Sequence, residues 1–437
     1  MYRFLFFTPI FVAVSAAVAA AQSPQPGVTQ ADLQGIIRDL RIEKPDARPY
    51  LTLKEWMDES PAAPAGVPPQ RRAALLRAWA TFWLDTQPAQ GPWWTHPIIG
   101  PGFRYLRGIW IWDTGYNVLG LAYGGPKARQ LALWQIEVLL HAQEESGRLP
   151  REVFKDGPKK TGQHGVQAPG MLTLAANRLF EVAAAPGEKE SVRKALADFY
   201  QRFQRNHEWF LANTKGDRGL CVWNGMDAGW DNSPRWADGG AKEALDLNCY
   251  LYLDRVELAQ MARSLGREDE ARDWNAKADA LAALVRAIHY DPKLGVFNDT
   301  RPDGSVSPRL SPVIYLPLWV GIASPEQARG SLKFIGDPKT FGAAWPLPTV
   351  ALSDPAYRPG GRLWQGQTWI NVNWHAIRGL QRCGFRKEAE ALRQKTLDLI
   401  EKWPLFWECY HPETGVGLKT HNYGWTAACY IDLVLSQ

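Results

Sequence analysis

Charge of one sign is scarce in this chain of 437 residues. The 50 Lys and Arg stand against 45 Asp and Glu, for a net charge of +5, and no Lys/Arg block occurs. Nucleic acid as a partner calls for a basic stripe or patch, so that class is set aside. Cysteine is sparse: Cys221, Cys249, Cys383, Cys409 and Cys429 are the only five, and none forms a C-x-x-C pair. That spacing offers neither a zinc ribbon nor a dithiol redox motif. An odd count leaves at most two bridges and one free thiol, and small buried core positions suit the rest. His164, His411 and His421 lie in polar loops without i, i+4 spacing, so no metal-ligand pattern is expected. A Walker-type glycine loop, a nucleophile elbow and H-E-x-x-H are all missing. No repeat of 33–47 residues marks an open α-solenoid.

Long apolar runs are confined to the first residues. Residues 1–21 read MYRFLFFTPIFVAVSAAVAAA, with Arg3 as a minimal n-region, an apolar stretch, and Ala19 and Ala21 placed for an A-x-A cleavage site. We expect a signal peptide over 1–21, a mature chain from near Gln22, and a periplasmic or secreted protein with no membrane partner after cleavage. An uncleaved anchor is the alternative reading. No later window has about 18 consecutive apolar residues.

The abundant component is aromatic. The chain holds 21 Trp, 14 Tyr and 16 Phe within a 46% hydrophobic composition. Leu and Val fill a core without indole. An excess of Trp therefore points to flat apolar faces with an N–H handle, suited to stacking on ligands. The plainer reading of a Trp-rich helix is core.

Residues 22–70, rich in Pro, Ala and Gln, read as a linker and lead-in, followed by one domain over 71–437. There the 3.6-residue period recurs. Pro126 opens a helix whose Leu131, Trp134, Val138 and Leu139 share a face; Val192, Leu196, Phe199 and Phe203 make another stripe. Helices are expected at 71–86, 112–122, 126–143, 167–184, 191–211, 243–264, 267–289, 312–321, 325–334, 370–382, 386–402 and 422–436, with short hairpins at 293–298 and 308–316. Gly/Pro/Asp-rich loops at 93–108, 145–166, 214–240, 290–311, 335–368 and 403–421 follow alternate helices, so they gather on one face. Long loops in a compact domain usually carry function. The expected fold is all-α: an (α/α)6 toroid of two concentric rings.

Carboxylates and Trp concentrate in those loops. WNGMDAGWDNSPRW (223–236) holds Asp227, Asp231, Arg235 and three Trp; FWECYHPETGVG (406–417) holds Glu408; RGIWIWDTGYN (107–117) holds Trp112 and Asp113. RLWQGQTWINVNWH (362–375) and HNYGWT (421–426) add more Trp, Gln and Asn. Indole faces cover the C–H face of a pyranose, while Asp, Asn, Gln and Arg satisfy its hydroxyls. Glycosidic cleavage needs two carboxyls, one to protonate the leaving oxygen and one to activate water or attack. Asp231, walled by Trp230 and Trp236, is expected to have a raised pKa by desolvation, as a general acid requires. Against this stands the turn or cap role that a single Asp commonly has in such loops.

Together, in chain order, these segments resemble the inverting (α/α)6 glycosidases of glycoside hydrolase families 37 and 63. That group comprises trehalases, processing-type α-glucosidases and the mannosylglycerate and glucosylglycerate hydrolases. GWDNSPRW resembles the general-acid motif, which implies that role for Asp231. ECYHPETGVG followed by YGWTAA resembles the general-base motif, implying Glu408 as base and Trp425 in the sugar pocket. IWIWDTGYNVLGL implies Trp112 and Asp113 as the grip on the non-reducing sugar, and WQGQTWINVNW implies Trp364, Trp369, Asn373 and Trp374 at the pocket. Gln167, Trp230 and Arg235 complete the implied substrate contacts. Gly108, Gln365 and Gln367 replace residues usual in trehalases, and a Q-W-D-x-P segment is missing; these departures favour the family 63 side. The resemblance implies an inverting exo-α-glycosidase acting on an α-glucoside, with a small carbohydrate as partner and no cofactor. Trehalase, a non-catalytic sugar-binding protein and a polysaccharide lyase are the alternatives.

Overall fold

A computed structural model describes residues 28–46, 50–160, 162–223, 225–237 and 243–436. The signal peptide expected at 1–21 lies outside the described residues. In chain order the helices are α1 (Gln30–Leu40), α2 (Leu53–Asp58), α3 (Pro69–Asp85), α4 (Ile111–Leu121), α5 (Pro126–His141), α6 (Met171–Val182), α7 (Pro186–Asn213), α8 (Leu245–Ser264), α9 (Glu268–His289), α10 (Leu316–Val320), α11 (Pro325–Arg329), α12 (Leu332–Ile335), α13 (Ile370–Arg382), α14 (Arg386–Glu401) and α15 (Gly424–Leu435).

Alternate helices form an inner ring. α4 packs on α6, α6 on α8, α8 on α10, α10 on α13, α13 on α15, and α15 returns to α4. α3, α5, α7, α9, the short pair α11–α12 and α14 lie outside them. The inner helices are apolar on nearly every side: in α4 all residues from Ile111 to Leu121 except Leu119 are buried, as a helix surrounded by protein requires. The outer helices bury one stripe. In α9 this is Ala271, Trp274, Ala278, Leu281, Ala282 and Val285. Pro in the first turn starts α3, α5 and α7, where its missing N–H costs nothing. Gly120 lets α4 approach α15 closely, since a Cβ there would sit 2.9 Å from the Ala428 Cα. This is the all-α (α/α)6 toroid expected from the sequence.

Connections from an inner helix to the next outer one are short turns, whereas each outer helix reaches the next inner one through a long loop. The alternation therefore places every long loop, and the N-terminus of every inner helix, on one face. Small antiparallel ladders stiffen these loops: β1 (Thr86–Gln87) with β2 (Ile98–Ile99), β3 (Gly108–Trp110) with β4 (Glu152–Phe154) and β5 (Gly157–Lys159), β6 (Tyr290–Asp291) with β7 (Val296–Phe297), and β8 (Trp407–Tyr410) with β9 (Gly417–His421). The hairpin expected at 293–298 is thus β6–β7. The one expected at 308–316 does not form, because Pro312–Tyr315 turns into a 3-10 helix leading to α10.

The stretch 22–70 is more than a linker. Within it, α1 and α2 each start on a capping box, Thr29 with Asp32 and Thr52 with Glu55, and both pack on α3. Trp56 of α2 stacks on Trp79 of α3 with ring centroids 5.0 Å apart, and each indole N–H donates to the other residue's carbonyl, at 2.9 and 3.0 Å. The Pro- and Ala-rich composition concealed two T-x-x-D/E starts. All five cysteines are free thiols, four buried and Cys383 half-buried, so no bridge forms. No helix of the described residues is long and apolar enough to cross a membrane.

Candidate active site

A helix start, a turn and a strand bring three carboxyls together. Asp113 lies in the first turn of α4. Asp231 occupies the turn before the 3-10 helix Pro234–Trp236. Glu408 sits on β8 at a register shift: Trp407 pairs with His421, but Cys409 pairs with Leu418. A bulge of this kind re-aims one side chain, and here that residue is Glu408, whose Oε2 accepts the Thr420 N–H at 3.4 Å. The charges interact mutually. Asp231 raises the pKa of Asp113 and of Glu408, and Asp113 raises that of Glu408. Residues from opposite ends of the domain sequence therefore face one another on the loop side of the ring.

Burial sets their protonation. Desolvation is the largest influence on all three. It pushes Asp113 up to about 7, although the Tyr423 hydroxyl and the Arg151 charge pull the other way. Glu408, 3% exposed, is likewise pushed up to about 7. Asp231 is raised as well, its burial opposed mainly by Arg151. Asp113 and Glu408 therefore exchange protons near neutral pH.

An indole wall surrounds them. Trp364 stacks on Trp369 at 3.9 Å with planes 6° apart, and meets Trp230 at 4.8 Å and Trp112 at 5.8 Å. Trp425 closes the group, 5.5 Å from both Trp112 and Trp369. Hydrogen bonding separates this wall from the core. The N–H groups of Trp56, Trp79, Trp94, Trp223 and Trp274 all reach protein acceptors. Those of Trp230, Trp369, Trp407 and Trp425 are buried with no protein acceptor, as are Asp113 Oδ1 and Gln167 Oε1 with no donor. Buried polar groups are normally paired, so a cluster of unpaired ones needs a reason; a hydroxyl-rich ligand supplies one. Gly229, at φ +74°, lets Gln167 and the Trp112 ring press against the acid loop, where a Cβ would lie 2.5 Å from Gln167 Nε2.

Other residues expected at the pocket are committed elsewhere. Arg235 is bound by two carboxylates: Nε and Nη2 donate to Asp299 at 2.8 and 2.9 Å, and Nη1 to Asp246 at 2.8 Å. Asn373 Oδ1 accepts from Leu347 N at 2.9 Å, while its Nδ2 donates to the Leu347 and Trp369 carbonyls. It ties its loop to α13 and has no atom left for sugar. Trp374 donates to Asp432 and packs edge-on against Tyr116 and Trp319 inside the ring. Asp227 ties its loop to a distant one, accepting from His164 N and Gly165 N.

Three site residues escaped the sequence reading. Arg151, buried at the start of the β4 strand region, donates to the Met226 carbonyl and its charge acts on Asp113 and Asp231. Tyr105 feels the charges of Glu408, Asp113 and Asp231 together, and Tyr423 feels those of Asp113 and Glu408. Tyr423 lay within HNYGWT, but nothing in a linear pattern says which loops meet. A separate pocket of about 260 Å³ opens behind the acid loop, lined by Arg235, Asp299, Arg301, Arg309 and Asp354 among others; none of the three carboxyls borders it.

The model of the mannosylglycerate hydrolase MGH1-like glycoside hydrolase domain matches residues 106–426. A mannosylglycerate hydrolase of Thermus thermophilus is 38% identical over 401 residues, covering 73% of this chain and 92% of that protein. A glucosylglycerate hydrolase of Mycolicibacterium hassiacum is 22% identical, covering 74% and 91%. Among solved structures, a GH63 mannosylglycerate hydrolase of Thermus thermophilus in complex with glucose has a TM-score of 0.67 at 20% identity, over 84% of this chain and 100% of that one. The neutral trehalase of Saccharomyces cerevisiae follows at 0.59 and 16%, over 78% and 74%. The two structural likenesses carry the toroidal fold; the family match, joined to a 38% identical relative, makes this chain a glycoside hydrolase and a member of the mannosylglycerate hydrolase MGH1-like family.

Proposed function

We propose that this chain is an exported, inverting exo-α-glycosidase that hydrolyses an α-glucoside or a closely related α-glycoside. Asp231 protonates the glycosidic oxygen and Glu408 deprotonates the attacking water on the opposite face of the sugar. Asp113 and Gln167 accept sugar hydroxyls, and the N–H groups of Trp230, Trp369 and Trp425 donate to sugar oxygens within the indole wall. The observation that carries this reading is the meeting of Asp113, Asp231 and Glu408, drawn from a helix start, a turn and a strand far apart in the chain, each raised by burial, beside unpaired buried donors and acceptors.

We further propose a small acidic aglycone, on the cations around the acid. Arg151 and Arg362 both act electrostatically on Asp231, and a carboxylate leaving with the aglycone oxygen would meet those cations. The relatives named for mannosylglycerate and glucosylglycerate carry the same chemistry in their substrates' names. A reducing-sugar screen tests this directly. Glucosyl and mannosyl conjugates of glycerate are expected to turn over ahead of trehalose and neutral α-glucosides. Turnover of neutral substrates alone would remove the acidic aglycone, and no release from any α-glycoside would remove the enzymatic reading of this site.

A further inference from the structure

We infer that Arg235 is a positioning residue for the general acid, acting through Trp230 and the Pro234–Trp236 turn instead of touching the sugar; this rests on the assignment of Asp231 as the acid. The Arg235 side chain is 2% exposed. Its Nε, Nη1 and Nη2 are each bound to a carboxylate oxygen. Two indoles also lie against the guanidinium, the Trp230 ring at 4.9 Å and the Trp236 ring at 4.5 Å. A planar cation forked onto carboxylates and packed on indoles in this way has little left to offer a substrate hydroxyl.

What it does instead follows from its partners. Asp246 lies in the first turn of α8 and also accepts the Trp223 N–H and the Leu247 N–H, both at 2.8 Å. Asp299, from the loop after β7, also accepts the Leu245 N–H at 2.9 Å. One guanidinium thus joins the acid loop, an inner helix and a neighbouring loop. Within the acid loop, Trp236 Nε1 donates to the Trp230 carbonyl at 2.8 Å and Ser233 N to the same oxygen at 2.9 Å. Asp231 lies inside this span, next to Trp230. Fixing Trp230 and Trp236 about the cation therefore fixes the peptide from which the acid projects. A buried charge left without its partners is strongly destabilising, so the array has few alternative arrangements in which the loop drifts.

The test compares substrates that differ only in leaving group, using the full chain. Asp299→Asn keeps shape but weakens the fork; Arg235→Lys keeps charge but lacks it. For each, kcat on an unactivated α-glycoside is expected to fall about 100-fold, within the range for losing general-acid help. An α-glycosyl fluoride, which needs little protonation, is expected to fall no more than about threefold, with KM and glucose affinity unchanged and partial rescue in Arg235→Lys over Arg235→Ala. A rise in KM and loss of glucose binding would overturn the inference in favour of direct sugar contact. Equal loss on both substrates, in step with a lower melting temperature, would overturn it in favour of a purely structural role. Asp231→Asn, run alongside, separates this from the underlying assignment. If that variant shows no leaving-group dependence, Asp231 is not the acid; if it does and the Arg235 and Asp299 variants do not, only the positioning role fails.

Discussion

Replacing Glu408 by Gln should stabilise the protein while abolishing turnover. Glu408 is 3% exposed and its carboxyl is pushed from 4.5 to about 7, first by burial and further by the Asp113 and Asp231 charges. A carboxyl whose folded-state pKa is raised binds its proton more tightly folded than unfolded. Below pH 4.5 it is neutral in both states and costs nothing. As pH rises through the interval from 4.5 to about 7, the unfolded chain releases its proton and the folded chain resists, so stability is lost; above about 7 the loss is complete. That interval corresponds to roughly 3 kcal/mol at about 1.36 kcal/mol per pKa unit. Gln is neutral throughout, nearly isosteric, and its carbonyl can still accept the Thr420 N–H. For a chain of this size, with about 2 cal/mol/K of unfolding entropy per residue, roughly 3 kcal/mol amounts to about 3–4 °C. Thermal melts followed by circular dichroism at about pH 8 and pH 4 should show Glu408→Gln melting higher than wild type at the alkaline value and level with it at the acid one. An equal shift at both values, or a lower melting temperature under alkaline conditions, would refute the argument that a desolvated charge is held in the site.

The other predictions concern separate parts of the molecule. Asp231→Asn should slow an unactivated glycoside by about 10²–10⁴-fold and largely spare a glycosyl fluoride, whereas Glu408→Gln should slow both; steady-state kinetics on the two substrates decides it. Trp425→Ala should weaken substrate binding by roughly 1–3 kcal/mol, the scale for losing a large apolar face, with the melt showing that the fold survives; unfolding would mean that the ring is core. Trp56→Ala removes the stacked partner of Trp79 and should cost about 3–5 kcal/mol of stability without altering kcat/KM, since α2 lies away from the loop carboxyls; a kinetic change would mean that the lead-in helices shape the site.

Periodicity made most of this fold legible. An outer helix such as α7 buries Val192, Leu196, Phe199 and Phe203, the same stripe the sequence displays, and the long loops between alternate helices marked the functional face. α2 escapes notice because it is six residues long and its apolar face is a single Trp and its neighbours; α1 does carry Leu33, Ile36 and Leu40 at helical spacing, within a stretch whose Pro, Ala and Gln content reads as a linker. The site was half legible. Asp113, Asp231 and Glu408 stand in motifs, and the structure gathers them. The motif cannot say whether a polar side chain points at the ligand or at another loop. Arg235 and Asn373 share segments with pocket residues, yet they satisfy Asp299 and Leu347. Conversely, Arg151 and Tyr105 lie in stretches with no distinguishing pattern and reach the site only through the β3–β4 ladder and the loop before it.

Proton NMR of the wild-type reaction tests the central claim most directly. A single displacement by water, activated by Glu408 and assisted by Asp231, inverts the anomeric centre. An α-glycoside should therefore release the β-anomer first, with the α-anomer growing in only as mutarotation proceeds. Release of the α-anomer first would mean a double displacement through a covalent glycosyl intermediate, and would contradict the roles given to both carboxyls.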